Sequence, residues 1–213
     1  MKLHSLLALL FAISPGMLFA STITSATVYQ NIPNPGNAGD PANQGSTLAS
    51  ANFTVGALGI DFETNASDST PLNVFLNNPT FFNQVNGFNP TAATDNTEIV
   101  LQGFLSLNAG DNSFVVGHDD GVVLSVAGFG NVVNAPGPTG LSESPFIVTA
   151  PSAGEYAFTL QYAECCGGPA DLVFNINNTV ITTNPVPEPG SMALLGTGML
   201  GMAGAVRRRF STR

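Results

Sequence analysis

Alternation is the feature that most limits what this chain can become. In "EIVLQGFLSL" (98–107) every second residue, Ile99, Leu101, Gly103, Leu105 and Leu107, falls on one face. In "EYAFTLQYAE" (155–164) Tyr156, Phe158, Leu160 and Tyr162 do the same. A period of two belongs to a strand with one buried face; a helix would scatter these side chains around its circumference. Shorter apolar runs at 51–55, 58–62, 72–76, 113–117, 121–128, 145–150 and 171–177 are separated by Gly, Pro, Asn and Ser. Short strands with a turn about every 8 to 12 residues predict an all-β fold, an antiparallel β-sandwich or barrel. Residues 30–47, 77–90 and 131–144 read as loops, the second carrying phenylalanines that pack on the sheet. There is no internal repeat.

Charge narrows the function. All five Lys and Arg lie at the ends of the chain, at Lys2, Arg207, Arg208, Arg209 and Arg213. Of fourteen Asp and Glu, all but Glu188 lie in the body between. Nucleic-acid binding requires a basic footprint and is excluded; attraction to anionic lipid headgroups is excluded on the same ground. A polyanion can approach only through a bridging cation, and divalent cations are the natural counter-ions of such a body.

The two ends read as targeting segments. "MKLHSLLALLFAISPGMLFA" has a small positive start (Lys2, His4), an apolar stretch at 6–13 and Ala20 before a plausible cut, so residues 1–20 are expected to be a secretory signal peptide. The alternative, a buried N-terminal helix, is opposed by Pro15 and Gly16. At the other end, residues 191–206 are apolar and rich in small residues, and Arg207, Arg208 and Arg209 close the run. That stretch falls short of the roughly 20 residues of a full spanning helix. Its arginine flank nevertheless fits a short transmembrane helix with its C-terminus in the cytoplasm. The tail, Val186-Pro187-Glu188-Pro189, then the apolar segment, then the arginines, resembles the PEP-CTERM sorting signal of Gram-negative bacteria. The resemblance implies recognition by an exosortase, transient anchoring in the inner membrane, removal of the tail, and delivery to the surface or extracellular matrix of a polysaccharide-producing cell. The expected organisation is a signal peptide at 1–20, the loop-rich N-terminal part of a β domain at 21–97, its core at 98–183 and a sorting tail at 184–213.

One short stretch stands out within the core: "VVGHDDGVVLSV" (115–126). Asp119 and Asp120 are read here as the tight connection at the tip of a hairpin, a place that favours Asp-Gly. The stretches "GFLSLNAGDNSFVVGHDDGVVLSVAG", "SAGEYAFTLQYAE" and "GGPADLVFNI" resemble, in order and spacing, the PA14 fold shared with GLEYA and flocculin adhesins. In the lectin branch of that family two adjacent aspartates bind calcium through a cis peptide, and the metal contacts sugar hydroxyls. The resemblance therefore implies a calcium site at Asp119 and Asp120, completed from a second loop (164–168) by Glu164 and by carbonyls near Cys166 and Gly167. The family's asparagine in that loop is missing here. Calcium takes six to eight oxygen ligands in flexible geometry, and without a cation two adjacent carboxylates repel and raise a pKa. The alternative is a ligand-free hairpin turn.

Cys165 and Cys166 are the only cysteines. Export points to an oxidising compartment. Neighbouring Cα atoms stand closer than the usual disulfide span, so a vicinal bond needs a distorted turn, which Gly167 and Gly168 can supply. Intermolecular pairing and two free thiols remain alternatives. His118, the body's lone histidine, reads as a solvated loop residue or, less favourably, a neighbour or ligand of the ion.

No Gly-x-Ser-x-Gly elbow is present, and adjacent carboxylates are not placed like a glycosidase pair, which flanks a sugar about 5 to 9.5 Å apart. The expectation is a non-enzyme: an exported module binding carbohydrate weakly through calcium, an inert structural surface or matrix protein, or a module that binds another surface protein.

Overall fold

A computed structural model describes residues 21–56, 58–67, 69–181 and 197, with backbone alone for 63–67. The signal peptide (1–20) and, apart from Thr197, the sorting tail expected from position 184 onward, with its VPEP motif, apolar segment and Arg207–Arg209 cluster, lie outside the described residues. Among the described residues no helix is long and apolar enough to cross a membrane.

The strands are β1 (Thr22–Gln30), β2 (Ala49–Phe53), β3 (Asp61–Ser67), β4 (Phe81–Val85), β5 (Thr97–Leu107), β6 (Gly110–Asp119), β7 (Gly121–Val126), β8 (Gly130–Ala135), β9 (Ser142–Ala150), β10 (Gly154–Glu164), β11 (Pro169–Ile176) and β12 (Thr179–Val180). They form two antiparallel sheets. One has seven strands in the order β4-β2-β1-β5-β10-β7-β8; the other runs β12-β11-β6-β9, with β3 also paired to β11. The fold is the expected all-β sandwich. Residues 21–97 are woven into it: β1 lies between β2 and β5, and β3 joins the second sheet.

Alternation sets the core. Ile99, Leu101, Leu105 and Leu107 of β5, and Phe158, Leu160 and Tyr162 of β10, are buried against Phe114, Val116, Leu172 and Phe174 of the opposite sheet. Phe158 and Phe174 meet across the layers with ring centroids 6.0 Å apart. Burying each such side chain contributes about 1.5–3 kcal/mol. Gly103 completes the apolar row of β5 without a side chain, because a Cβ there would overlap the Thr22 carbonyl where β1 bulges between Ile23 and Ser25.

Several local expectations are corrected. Residues 72–76 are not a strand: Leu72–Phe75 is one helical turn behind Pro71, which buries Leu72 and Phe75. The supposed loop at 77–90 contains β4, which pairs with β2 and holds Phe81 against Phe53 and Phe88. The supposed loop at 131–144 contains β8 and the start of β9. The arm at 30–47 is largely irregular, as expected, apart from a 3-10 turn at Pro41–Gln44.

The largest correction concerns the aspartates. β6 belongs to the five-stranded sheet and β7 to the seven-stranded one. Asp119-Asp120-Gly121 is therefore no hairpin tip; it is the place where the chain crosses from one sheet to the other.

Candidate metal centre at the crossing between the sheets

Asp119 is the last residue of β6 and Gly121 the first of β7, so Asp120 alone makes the crossing. It does so at φ 67°, a left-handed conformation uncommon outside glycine, with Asn and Asp the commonest exceptions. Among the described residues, every other non-glycine with positive φ is an asparagine, save Cys166 at φ 72°. The described residues contain no cis peptide bond, so the cis linkage implied by the family resemblance is not found; the contortion sits at Asp120 φ instead. Gly121 is required by packing, since a Cβ there would overlap the Pro136 carbonyl.

Glu164 ends β10, and residues 165–168 lead into β11. This second loop and the crossing come together. Carboxylate oxygens of Asp119, Asp120 and Glu164 all lie within 4.8 Å of one another. The side chains are buried, with 2 % (Asp119), 3 % (Asp120) and 0 % (Glu164) of their surface exposed. All three carboxylates expected at the site are thus brought together.

Their surroundings fix them from several directions. Asp120 Oδ2 accepts from the Cys165 amide at 2.7 Å, and Oδ1 from the Thr139 amide at 3.2 Å. The Asp120 amide donates to the Thr139 carbonyl at 2.9 Å. The Tyr162 hydroxyl donates to Glu164 Oε2 and accepts from the Asp171 amide. Tyr162 is itself held by stacking on Phe75 at 6.1 Å. Burial, and then the charge of Glu164, push the Tyr162 hydroxyl well above its ordinary pKa, so it stays protonated and donating. Burial and the charge of Asp120 raise the pKa of Asp119, against the opposing pull of the Leu141 amide and His118. Asp119 Oδ2 is buried with no hydrogen-bond partner. Such an atom costs about 1–3 kcal/mol if nothing satisfies it.

His118 is not solvated. It is 1 % exposed, with Nδ1 2.7 Å from the Asp120 carbonyl and Nε2 3.0 Å from Ser144 Oγ. A carbonyl can only accept, so Nδ1 carries the proton, and in the neutral ring Nε2 accepts from Ser144. The ring braces the crossing from behind. Continuing the core-facing row Phe114, Val116 by one more step reaches His118, and that was the available signal in the sequence.

Cys165 and Cys166 are joined by a vicinal disulfide with Cα atoms 3.7 Å apart. Cys165 is buried while Cys166 is exposed. The bond sits in the loop whose amide holds Asp120. Gly167 and Gly168 follow at positive φ, and a Cβ on Gly168 would stand 3.7 Å from Asp119 Oδ1. The loop carrying the expected carbonyl ligands of Cys166 and Gly167 therefore packs directly on the aspartates.

The donor set fits a hard divalent cation. Three carboxylates with an unsatisfied oxygen converge in a body that contains no Lys or Arg to neutralise them.

Comparison with known proteins agrees with this architecture. The PEP-CTERM protein-sorting motif matches residues 185–209. The body is similar to the crystal structure of the PA14 domain of the antifreeze protein MpAFP, with TM-score 0.54, 17 % identity, and 76 % of this chain and 87 % of that one covered. It is also similar to a PA14 sugar-binding domain from an RTX adhesin, with TM-score 0.52, 19 % identity, and 75 % and 90 % covered. An anti-sigma factor domain-containing protein aligns at TM-score 0.50 and 13 % identity, over 79 % of this chain and 50 % of that one. No curated protein matches the sequence significantly. The chain carries a PEP-CTERM sorting signal on a body with the PA14 fold.

Proposed function

We propose that this PA14-fold body with its PEP-CTERM tail is an exported, non-catalytic surface protein that binds carbohydrate through calcium held at Asp119, Asp120 and Glu164. The observation that supports this most is the convergence of three buried carboxylates from two loops, one with an oxygen that no protein group satisfies. Carbonyls of Cys166 and Gly167 would add neutral ligands from the adjoining loop. When bound, calcium supplies coordination positions that sugar hydroxyls can fill. The chain's own residues do the rest: Tyr162 orients Glu164, the Thr139 and Cys165 amides orient Asp120, and His118 fixes the carbonyl between the sheets. The sugar-binding PA14 domain of the RTX adhesin shares the fold and supports the reading.

The sorting motif supports the cellular part. An exosortase would process the tail after transient anchoring in the inner membrane, leaving the domain on the surface or in the polysaccharide matrix of a Gram-negative cell. Glycan capture with and without chelator tests the binding. Wild-type protein should retain glycans only in calcium, and Asp119→Asn should retain none while keeping its fold. Equal retention by the variant would sink the calcium-bridged mechanism.

A second reading is favoured by burial. Because the three carboxylates are nearly inaccessible, a cation there could serve only to lock the crossing, in a structural matrix protein without a sugar ligand. Calcium binding without any glycan retention would favour that reading.

A further inference from the structure

A groove of about 410 Å³ runs over the outer face of the five-stranded sheet. Its floor is Val115 and Gly117 of β6 and Val173 of β11. Leu141 and Glu143 rise on one side, Asp171 and Asn175 on the other. The volume lies within the usual range for small-ligand sites, which combine an apolar floor with a few polar groups.

The groove leads to the crossing. Strand alternation places Asp119 in the same row of β6 as Val115 and Gly117. Its register partner on β11 is Asp171, which lines the groove. The amide of Leu141, another lining residue, donates to the Asp119 carboxylate. At this end Asp119 Oδ2 is buried and accepts no hydrogen bond. Two lining residues of the groove, Asp171 and Leu141, are thus neighbours of Asp119 in the carboxylate cluster.

Two features give the groove a chemical preference. Gly117 leaves its floor open: a Cβ there would meet Asp171 Oδ1 and Val173 Cβ only at ordinary contact distance, 3.7 Å for each. Its φ is not positive, so neither strain nor close packing demands glycine at this position. Among the described residues lining the groove the charged groups are the carboxylates of Glu143 and Asp171, and the body has no Lys or Arg to offset them. An acidic sugar would be repelled and a protonated amine attracted.

We propose that this groove is a second glycan subsite, continuous with the ion site, that takes a sugar bearing a free, protonated amino group, as in a de-N-acetylated hexosamine chain. The inference rests on the calcium-bridged reading above and adds to it the class of glycan.

The test titrates calcium-loaded protein with three tetramers: β-1,4-linked glucosamine, its fully N-acetylated counterpart, and a uronic acid. The expected order is glucosamine first, by about fivefold or more over the acetylated form at low salt, as for one or two exposed charge pairs. The preference should shrink as sodium chloride screens it. Gly117→Val fills the floor and should abolish glucosamine binding. Glu143→Gln changes an exposed charge on β9 without touching the core, and should lower the preference about two- to fivefold. Each variant is also titrated with calcium, so the two sites are read separately. Unchanged calcium binding with lost glucosamine binding supports the groove. Equal affinity for the three tetramers overturns the proposal, as does undiminished glucosamine binding in both variants. If calcium does not bind but the amine preference and its loss in Gly117→Val persist, the ion reading fails and the groove stands.

Discussion

Two buried acidic regions of this molecule solve the same electrostatic problem in opposite ways. Glu98, fully buried at the start of β5, is surrounded by neutral donors. Asn43 Nδ2 donates to Oε2 at 2.9 Å, Gln44 Nε2 donates to Oε1 at 2.7 Å, and the Gly39 amide adds a further bond. The arm at 30–47 is thereby tied to the sheet. Asp119, Asp120 and Glu164 are gathered instead against one another, and Asp119 Oδ2 is left unsatisfied. A chain without interior cations can bury one carboxylate by wrapping it in amides. Three within 4.8 Å repel one another unless a proton or a cation intervenes, and the proposed calcium is such a cation. The contrast separates a carboxylate that holds an arm in place from the three for which we propose an ion.

The largest expected effect breaks the contrast outright. Calcium at about 100 times its Kd should stabilise the wild type by about 2.7 kcal/mol, raising Tm by roughly 5–10 °C for a domain of this size. In Asp119→Asn the calcium-dependent rise should vanish, whereas Glu98→Gln should keep it in full. Differential scanning calorimetry with and without chelator reads both.

Next in size, Tyr162→Phe removes the hydroxyl that orients Glu164. Loss of such an outer partner typically weakens metal binding by about 10–100-fold, and the lost hydrogen bond costs on the order of 1 kcal/mol of stability. An unchanged calcium affinity would show that Glu164 needs no such support.

Much of this was legible in the sequence and some was not. The rows of β5 and β10 follow directly from period-two alternation. Asp119, Asp120 and the adjacent cysteines are visible there too, because they bring charge and sulfur into stretches otherwise made of apolar and small residues, whereas Glu164 entered only through the resemblance to the PA14 fold. The inter-sheet crossing was not legible: strand, Asp-Gly, strand reads the same whether the second strand returns beside the first or joins the opposite layer. Partner choice depends on long-range packing, here the fit of Gly121 against the Pro136 carbonyl. β8 was hidden because "GNVVNA" is short and lies among Gly, Asn and Pro. The helical turn at Leu72–Phe75 has too few residues for periodicity to distinguish it from a strand.

A smaller effect comes from the disulfide. Reducing Cys165–Cys166 closes or opens almost no chain, so global stability should hardly change. The loop that holds Asp120 loosens, however, and calcium affinity should fall several-fold in titrations with a non-chelating reductant. An equal affinity in both redox states would detach the disulfide from the site.

The smallest effect sharpens the other half of the comparison. Burial is the main cause of the raised pKa of Glu98, and the donors from Asn43, Gln44 and Gly39 only partly offset it. A carboxyl whose folded pKa exceeds its unfolded one binds more protons in the folded state, so its ionisation costs stability as pH rises through that interval. Chemical denaturation in chelator should therefore show wild-type stability declining from about pH 4 upward through the raised range. Glu98→Gln should flatten that portion, at a cost near 1 kcal/mol for the mismatched amide.

The central claim, that the carboxylate cluster is a cation site and the Glu98 cluster is not, is tested most directly by isothermal titration of the metal-free protein with calcium. The account predicts one site per chain, abolished by Asp119→Asn and retained by Glu98→Gln. No binding at millimolar calcium, or a site that survives Asp119→Asn, would contradict it.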